Sequence, residues 1–211
     1  MRQVISRILH SFRWRFGKGW SHHDFQGRYL KKSSDAWGYL NDIRHQQRRE
    51  RILSRLPNLS GKKVLEIGCA EGFITERLIA QANTVIACDL SEIAVARAKS
   101  YCQNASNATF LAADIRSEIP GNNFDICVAS DVLYYLSENE NRSLAKRLSD
   151  HMTSDGMLLF ANEWNQGYRN LTHPNQTIAI FESTGKWKAG EVDTQREEEH
   201  SMHVVAILHR R

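Results

Sequence analysis

The sequence predicts an α/β protein built on a doubly wound, mostly parallel sheet, and three observations carry that expectation. From Lys62 onward short apolar runs alternate with helical stretches, a glycine-rich turn closes the first run, and an aspartate stands at or just past the end of each of the next two. Strands and helices alternating at this spacing imply right-handed βαβ units.

The elements follow in order. Val64–Ile67 is a short buried strand that ends in Gly68-Cys69-Ala70-Glu71-Gly72, and Phe73–Gln81 reads as a helix. Thr84–Cys88 is a second strand ending at Asp89, after which Ser91 caps a helix reaching about Tyr101. Thr109–Ala112 is a third strand before Asp114, and Phe124–Ser130 a fourth. Asn139–His151 is helical, and Met157–Ala161 is a fifth strand after a turn at Asp155-Gly156. Pro174–Glu182 forms a helix opened by a favourable early proline. Trp187–Val192 and Met202–His209 are then two strands joined by a polar, acidic connection, Asp193 to His200. With no helix between them they predict an antiparallel pair at one sheet edge, making seven strands.

The 211 residues suit one domain with an N-terminal extension, divided as 1–33 and 34–211 near the first helical segments. Hydrophobic residues at 41% and charged residues at 25% supply one core. No apolar run reaches the ~18 residues a spanning helix needs. Cys69, Cys88, Cys102 and Cys127 form no Cys-x-x-Cys pair and sit mostly in apolar stretches, which reads as reduced packing residues of a cytoplasmic protein with no metal site. The net charge of +4 conceals an asymmetry: through Lys63 there are fifteen Lys/Arg against four Asp/Glu, and beyond it thirteen against twenty. Met1 to Lys18 has no acidic residue and places Val4, Ile5, Ile8, Leu9, Phe12 and Phe16 at helical spacing among arginines. Such a segment suits a membrane-surface helix, a transit peptide or a lid over the domain.

The chemistry concentrates at the strand ends. Small residues at 68, 70 and 72 let the backbone turn sharply and approach a ligand, with a helix N-terminus following. Glu66, inside the first strand, would repel a pyrophosphate but can meet a cationic amino-acid group, which S-adenosylmethionine carries. Asp89 can accept both hydroxyls of a ribose, and Leu90 follows it. Asp114 can accept from an exocyclic adenine amine while Ile115 packs on the ring. Ser130 to Tyr135 sit at the fourth strand's end, facing a transferable methyl.

With these residues the chain resembles the class I S-adenosylmethionine-dependent methyltransferases, whose Rossmann-like sheet the strand pattern matches. It looks closest to the nodulation protein S-like (NodS) family, which N-methylates the amino sugar of a chitooligosaccharide. Beyond the glycine turn, Val132-Leu133-Tyr134-Tyr135-Leu136 and Asp35-Ala36-Trp37-Gly38-Tyr39 carry the likeness. The resemblance implies an N-terminal helical lid closing on the cofactor through Trp37 and Tyr39, and a cofactor site that takes in Cys69 as well. Ile43, Arg44 and His45 depart from the family, as does Ala36 where a proline is usual.

The reading is a methyltransferase that uses S-adenosyl-L-methionine on a small-molecule amine, such as that of an amino sugar or oligosaccharide. An O-methyltransferase of a natural product or lipid is the alternative. A basic nucleic-acid or membrane-surface binder on a vestigial fold is the reading from another class; nucleic acid is disfavoured, because Ser130-Asp131-Val132-Leu133 lacks the Pro-Pro-aromatic motif of base-amine methyltransferases. Candidate bases or orienting groups are His173, Tyr134, Tyr135, Glu163 and His45, with His22 and His23 ranked lower. His173 is favoured, with Tyr135 shaping the acceptor pocket.

Overall fold

A computed structural model describes residues 21–211 except 33, 41, 104, 166–170 and 199–200. The basic amphipathic stretch over residues 1–18 lies outside the described residues. Helices α1 (His22–Leu30) and α2 (Ile43–Leu53) come first. They lead to β1 (Lys63–Ile67), α3 (Thr75–Ile79), β2 (Thr84–Asp89), α4 (Glu92–Tyr101), β3 (Ala108–Ala112) and β4 (Phe124–Ser130). A 3-10 turn, Leu133–Tyr135, precedes α5 (Glu138–His151), β5 (Met152–Asn165), α6 (Pro174–Ser183), β6 (Trp187–Glu198) and β7 (Ser201–Arg210). No helix among the described residues is long and apolar enough to cross a membrane.

The strands form one seven-stranded sheet in the order β3-β2-β1-β4-β5-β7-β6. The first five are mutually parallel, and β7 runs antiparallel to both neighbours, β5 and β6. Chain order reverses between β1 and β4, and the carboxyl ends of strands at such a reversal leave a crevice for ligands. Both faces are covered, which is why β1 and β4 read as nearly continuous apolar runs. One face packs Leu158, Phe160, Leu144, Phe181 and Trp187, the last donating its indole N–H to the Ala145 carbonyl at 2.7 Å. The other packs Ile52 of α2 and Leu78 of α3 on Val64, Val85 and Leu159.

Local signals explain the boundaries. Ser91 Oγ accepts from the Ala94 N–H at 3.2 Å and starts α4. Ser137 and Glu140 form a capping box that starts α5. The turn expected at Asp155-Gly156 is absorbed into β5 as an irregularity in its register with β4, where a Cβ on Gly156 would lie 2.8 Å from Met152 Cβ. The acidic connection expected over Asp193–His200 is instead largely strand, because its acids have partners. Arg51 and Arg55 bond Asp193 at 2.9 and 2.7 Å, and Arg48 bonds Glu197 and, at 3.1 Å, Glu163. Part of the basic surplus of the first third of the chain is thus answered by the acids of the last third.

Candidate active site

A cavity opens at the carboxyl ends of β1, β2 and β4, with an empty volume of about 830 Å³ including its mouth. Eleven of the sequence-derived site residues line it: Trp37, Tyr39, Gly68, Ala70, Asp89, Leu90, Asp114, Ile115, Ser130, Tyr134 and Tyr135. The β1 turn is tied to β2 by the Gly68 and Cys69 N–H groups, which both donate to the Cys88 carbonyl at 2.7 and 3.0 Å. Gly68 has φ +76°, and an added Cβ would stand 2.2 Å from Val132 Cγ2. Only a glycine lets β1 and the β4 turn approach this closely.

Asp89 accepts from the Ala70 N–H at 3.0 Å and from the Ser91 N–H at 2.9 Å, one bond on each oxygen. Burial pushes its carboxyl up to about 6 against these backbone bonds. Its remaining lone pairs are placed to receive a pair of hydroxyls. Asp114 is held in a bidentate pair by Arg116, with Nε and Nη2 at 2.8 and 2.7 Å. The guanidinium keeps the Asp114 carboxyl below its usual range, so it stays an acceptor beside buried Ile115.

Glu66 and Cys69 line a second cavity with His45, Arg48 and Arg49, which shares Tyr39, Gly68, Ala70, Ser130 and Asp131 with the first. Here Glu66 Oε2, His45 Nδ1 and Arg49 Nε are buried with no hydrogen-bond partner. Burial pushes the Glu66 carboxyl up to about 7 and holds the His45 imidazole below its usual value. Buried polar atoms left bare are costly. A ligand carrying both a carboxylate and an ammonium satisfies such a mixed set, so the cavity fits the amino-acid end of S-adenosylmethionine.

At the β4 end, Asp131 (φ +54°) lines both cavities, and its Oδ1 accepts from the Glu163 N–H at 2.8 Å. Burial pushes its carboxyl up to about 6. Tyr39, Tyr134 and Tyr135 stand on the same wall, and burial with the charge of Asp131 pushes the Tyr39 phenol well up. His173 lines neither cavity. It caps α6 by accepting from the Asn175 N–H at 3.1 Å and lies edge-on to Trp164 at 4.7 Å. Gly72 also stands off the cavity: a Cβ there would meet the Ala98 backbone at 3.1 Å, so the glycine serves the packing of α4. Glu163 pairs with Arg48, and exposed His22 bonds exposed Glu92 at 3.0 Å.

Sequence reasoning placed Asp131 only within the run Ser130 to Tyr135, without a role of its own, and missed Phe25, Arg116 and a latch made by Glu71 and Arg97. Glu71, buried in the β1 turn, accepts from the Ala36 N–H at 2.7 Å and from Arg97 at 2.8 Å. Arg97 also donates to the carbonyls of Tyr29 and Lys32 at 3.0 and 2.7 Å. The latch holds α1 and the segment after it over the cavity, where Phe25, Tyr29 and Trp37 form part of the wall. One signal for α1 lay in the sequence, the capping box of Ser21 and Asp24.

An open sheet of this order, with a glycine turn after β1 and acidic side chains closing β2 and following β3, defines a class I S-adenosylmethionine-dependent methyltransferase. The chain belongs to the nodulation protein S (NodS) family, whose model matches residues 21–196. It is 29% identical over 160 residues to nodulation protein S of Azorhizobium caulinodans, covering 72% of this chain and 76% of that protein. It is 33% identical over 117 residues to a phosphoethanolamine N-methyltransferase of Triticum aestivum, covering 54% of this chain. The chain spans about a quarter of the length of such phosphoethanolamine N-methyltransferases, 23% in that case. Among solved structures it resembles the N-methyltransferase NodS from Bradyrhizobium japonicum WM9 in complex with S-adenosyl-L-homocysteine, with TM-score 0.78, 22% identity, and 90% of this chain and 98% of that one covered. Magnesium protoporphyrin IX methyltransferase from Synechocystis shares the fold at TM-score 0.71 and 17% identity, over 90% of this chain and 97% of that one.

Proposed function

We propose that this methyltransferase acts on an amine of a small molecule, such as an amino sugar or oligosaccharide, with Asp131 as the residue that meets the nitrogen. The observation that carries the reading is the placement of this one carboxylate between the two cavities, with one oxygen held by the Glu163 N–H. When bound, S-adenosylmethionine supplies an electrophilic methyl group on a sulfonium sulfur. Asp89 receives the ribose hydroxyls, Asp114 and Ile115 the adenine, and Glu66, His45 and Arg49 the amino-acid end. Asp131 then holds the nitrogen by charge and takes the proton it releases. In-line transfer needs mainly alignment, which the β1 turn and the Tyr39–Tyr135 wall provide. A hydroxyl acceptor calls for a stronger base than a carboxylate near 6. The N-methyltransferase relatives are consistent with this reading.

The proposal keeps residues 1–33 as a basic extension on a methyltransferase domain of residues 34–211, the extension lending Phe25 and Tyr29 to the cavity wall. Four buried, free cysteines fit a reducing compartment, and we place the protein in the cytoplasm.

Labelled cofactor offered with glucosamine and with N-acetylglucosamine tests the reading. Label is expected on the nitrogen of the first and absent from the second. Asp131→Asn is expected to lower kcat about 100-fold. Wild-type activity should fall as pH drops through about 6, where Asp131 becomes protonated, and the variant should lack that limb. Label confined to hydroxyls, or an Asn variant with the wild-type rate and pH profile, overturns the amine reading.

A further inference from the structure

We infer that Arg116 is a positioning residue that acts through Asp114 and sets which purine the cofactor site takes. It fixes the carboxylate so that a 6-amino group is accepted and a 6-oxo group turned away. The inference rests on the placement of the adenine at Asp114 proposed above, and adds a role for the arginine. Both residues line the cavity beside Ile115. Asp114 Oδ1 accepts from the Arg116 backbone N–H at 2.9 Å and from its Nε at 2.8 Å. Oδ2 accepts from Nη2 at 2.7 Å and shares the Nε proton at 3.1 Å. One residue thus holds both oxygens with its main chain and its side-chain fork.

A carboxylate offers about four lone-pair sites, and the arginine's protons occupy all but about one of them. That site lies on Oδ2, where only the Nη2 bond is close. The fork also fixes the plane of the carboxylate, which at a half-buried position would otherwise turn and trade partners with water. The loop itself is secured separately. Arg147 of α5 donates from Nη2 to the carbonyls of Ile115 and Arg116 at 2.7 and 2.9 Å. Removing the Arg116 side chain therefore leaves the backbone anchored and changes the aim of one acceptor. The same pair keeps the Asp114 carboxyl below its usual range, so it brings no proton of its own. An adenine amine supplies the missing donor. A 6-oxo group sets a lone pair against a charged oxygen with no proton between them, and a site built around one polar group rejects the analogue that lacks it.

The test is calorimetric titration with S-adenosylhomocysteine and with S-inosylhomocysteine, its 6-oxo analogue. Wild type is expected to bind the adenosyl compound at least ~10-fold more tightly. Arg116→Ala should shrink that preference to about 2-fold or less, chiefly by weakening the adenosyl compound, and Asp114→Ala should abolish it. A role in holding the loop alone would weaken both compounds together and leave their ratio unchanged, so the ratio separates specificity from stability. Arg116→Gln, which keeps most of the side chain's length without the fork, reads the same ratio should the alanine variant bind neither compound. A preference that survives loss of the arginine but not Asp114→Ala overturns the inference and leaves the adenine at Asp114. A preference that survives Asp114→Ala, or none in the wild type, overturns both.

Discussion

The two ends of the active-site cavity are made of different materials. At the β1–β2 end the wall is held in place by main chain: the turn at Gly68–Ala70 lies against the Cys88 carbonyl, and Asp89 is fixed by two backbone N–H groups. At the β4–β5 end the wall is side chain, with three tyrosines and Asp131 backed by Arg48 and its two glutamates. Main-chain walls are indifferent to most substitutions but intolerant of an added Cβ. Side-chain walls have the opposite profile, so substitutions should retune the proposed acceptor end more readily than the proposed cofactor end.

The sharpest break of this contrast is at the side-chain end. Arg48→Ala removes a buried guanidinium and strands half-buried Glu163 and Glu197, and is expected to cost about 2–3 kcal/mol in urea denaturation. Arg55→Ala, which removes a more exposed partner of Asp193, should cost less than about 1 kcal/mol. At the main-chain end, Gly68→Ala combines a φ of +76° with contact at 2.2 Å to Val132, and S-adenosylhomocysteine affinity by calorimetry should fall about 100-fold. Gly185→Ala, with φ +73° and open space around it, should leave that affinity unchanged and so isolate the clash from the backbone strain.

Arg97→Ala joins the two ends by releasing α1 from the β1 turn. Three hydrogen bonds go, and cofactor dissociation in stopped flow should quicken about 10-fold. The effect of Glu66→Gln depends on pH. Glu66 titrates near 7 when folded against an ordinary 4.5, so its contribution to stability is present below about 4.5 and is lost as pH rises through about 7. The melting temperature of the ligand-free variant should match wild type toward pH 5 and exceed it by a few degrees at pH 8.

This division also explains what could be read without coordinates. The strand-end positions of Gly68, Asp89 and Asp114, and seven strands closing with an antiparallel pair, were legible because a tight turn, strand-end carboxylates and alternating apolar runs leave a local pattern of residue types. Asp131 lay in plain sight at the end of β4, yet nothing local marks it as set between two cavities; that depends on the Glu163 N–H, 32 residues away. Glu71 and Arg97 form their latch across 26 residues and two elements. His173 was attractive as a loop histidine after β5, but its Nδ1 serves the start of α6. The acidic stretch of β6 read as a linker because its counter-charges lie on α2 and just after it, more than 130 residues earlier.

That last separation has a consequence for how the chain matures. Arg48 and Arg51 find Glu197, Asp193 and His203 only across 142 to 152 residues of sequence. As the chain emerges from the ribosome, α2 is made early and then waits: Arg48 can meet Glu163 once β5 is made, but Asp193 and Glu197 come only with β6. Contacts of such long range form late. The glycine turn and its strands can assemble first, whereas the wall that α2 contributes docks when nearly the whole polypeptide exists. A nascent chain halted before β6 would hold a formed β1 turn yet lack Asp193 and Glu197, two of the acids that seat α2.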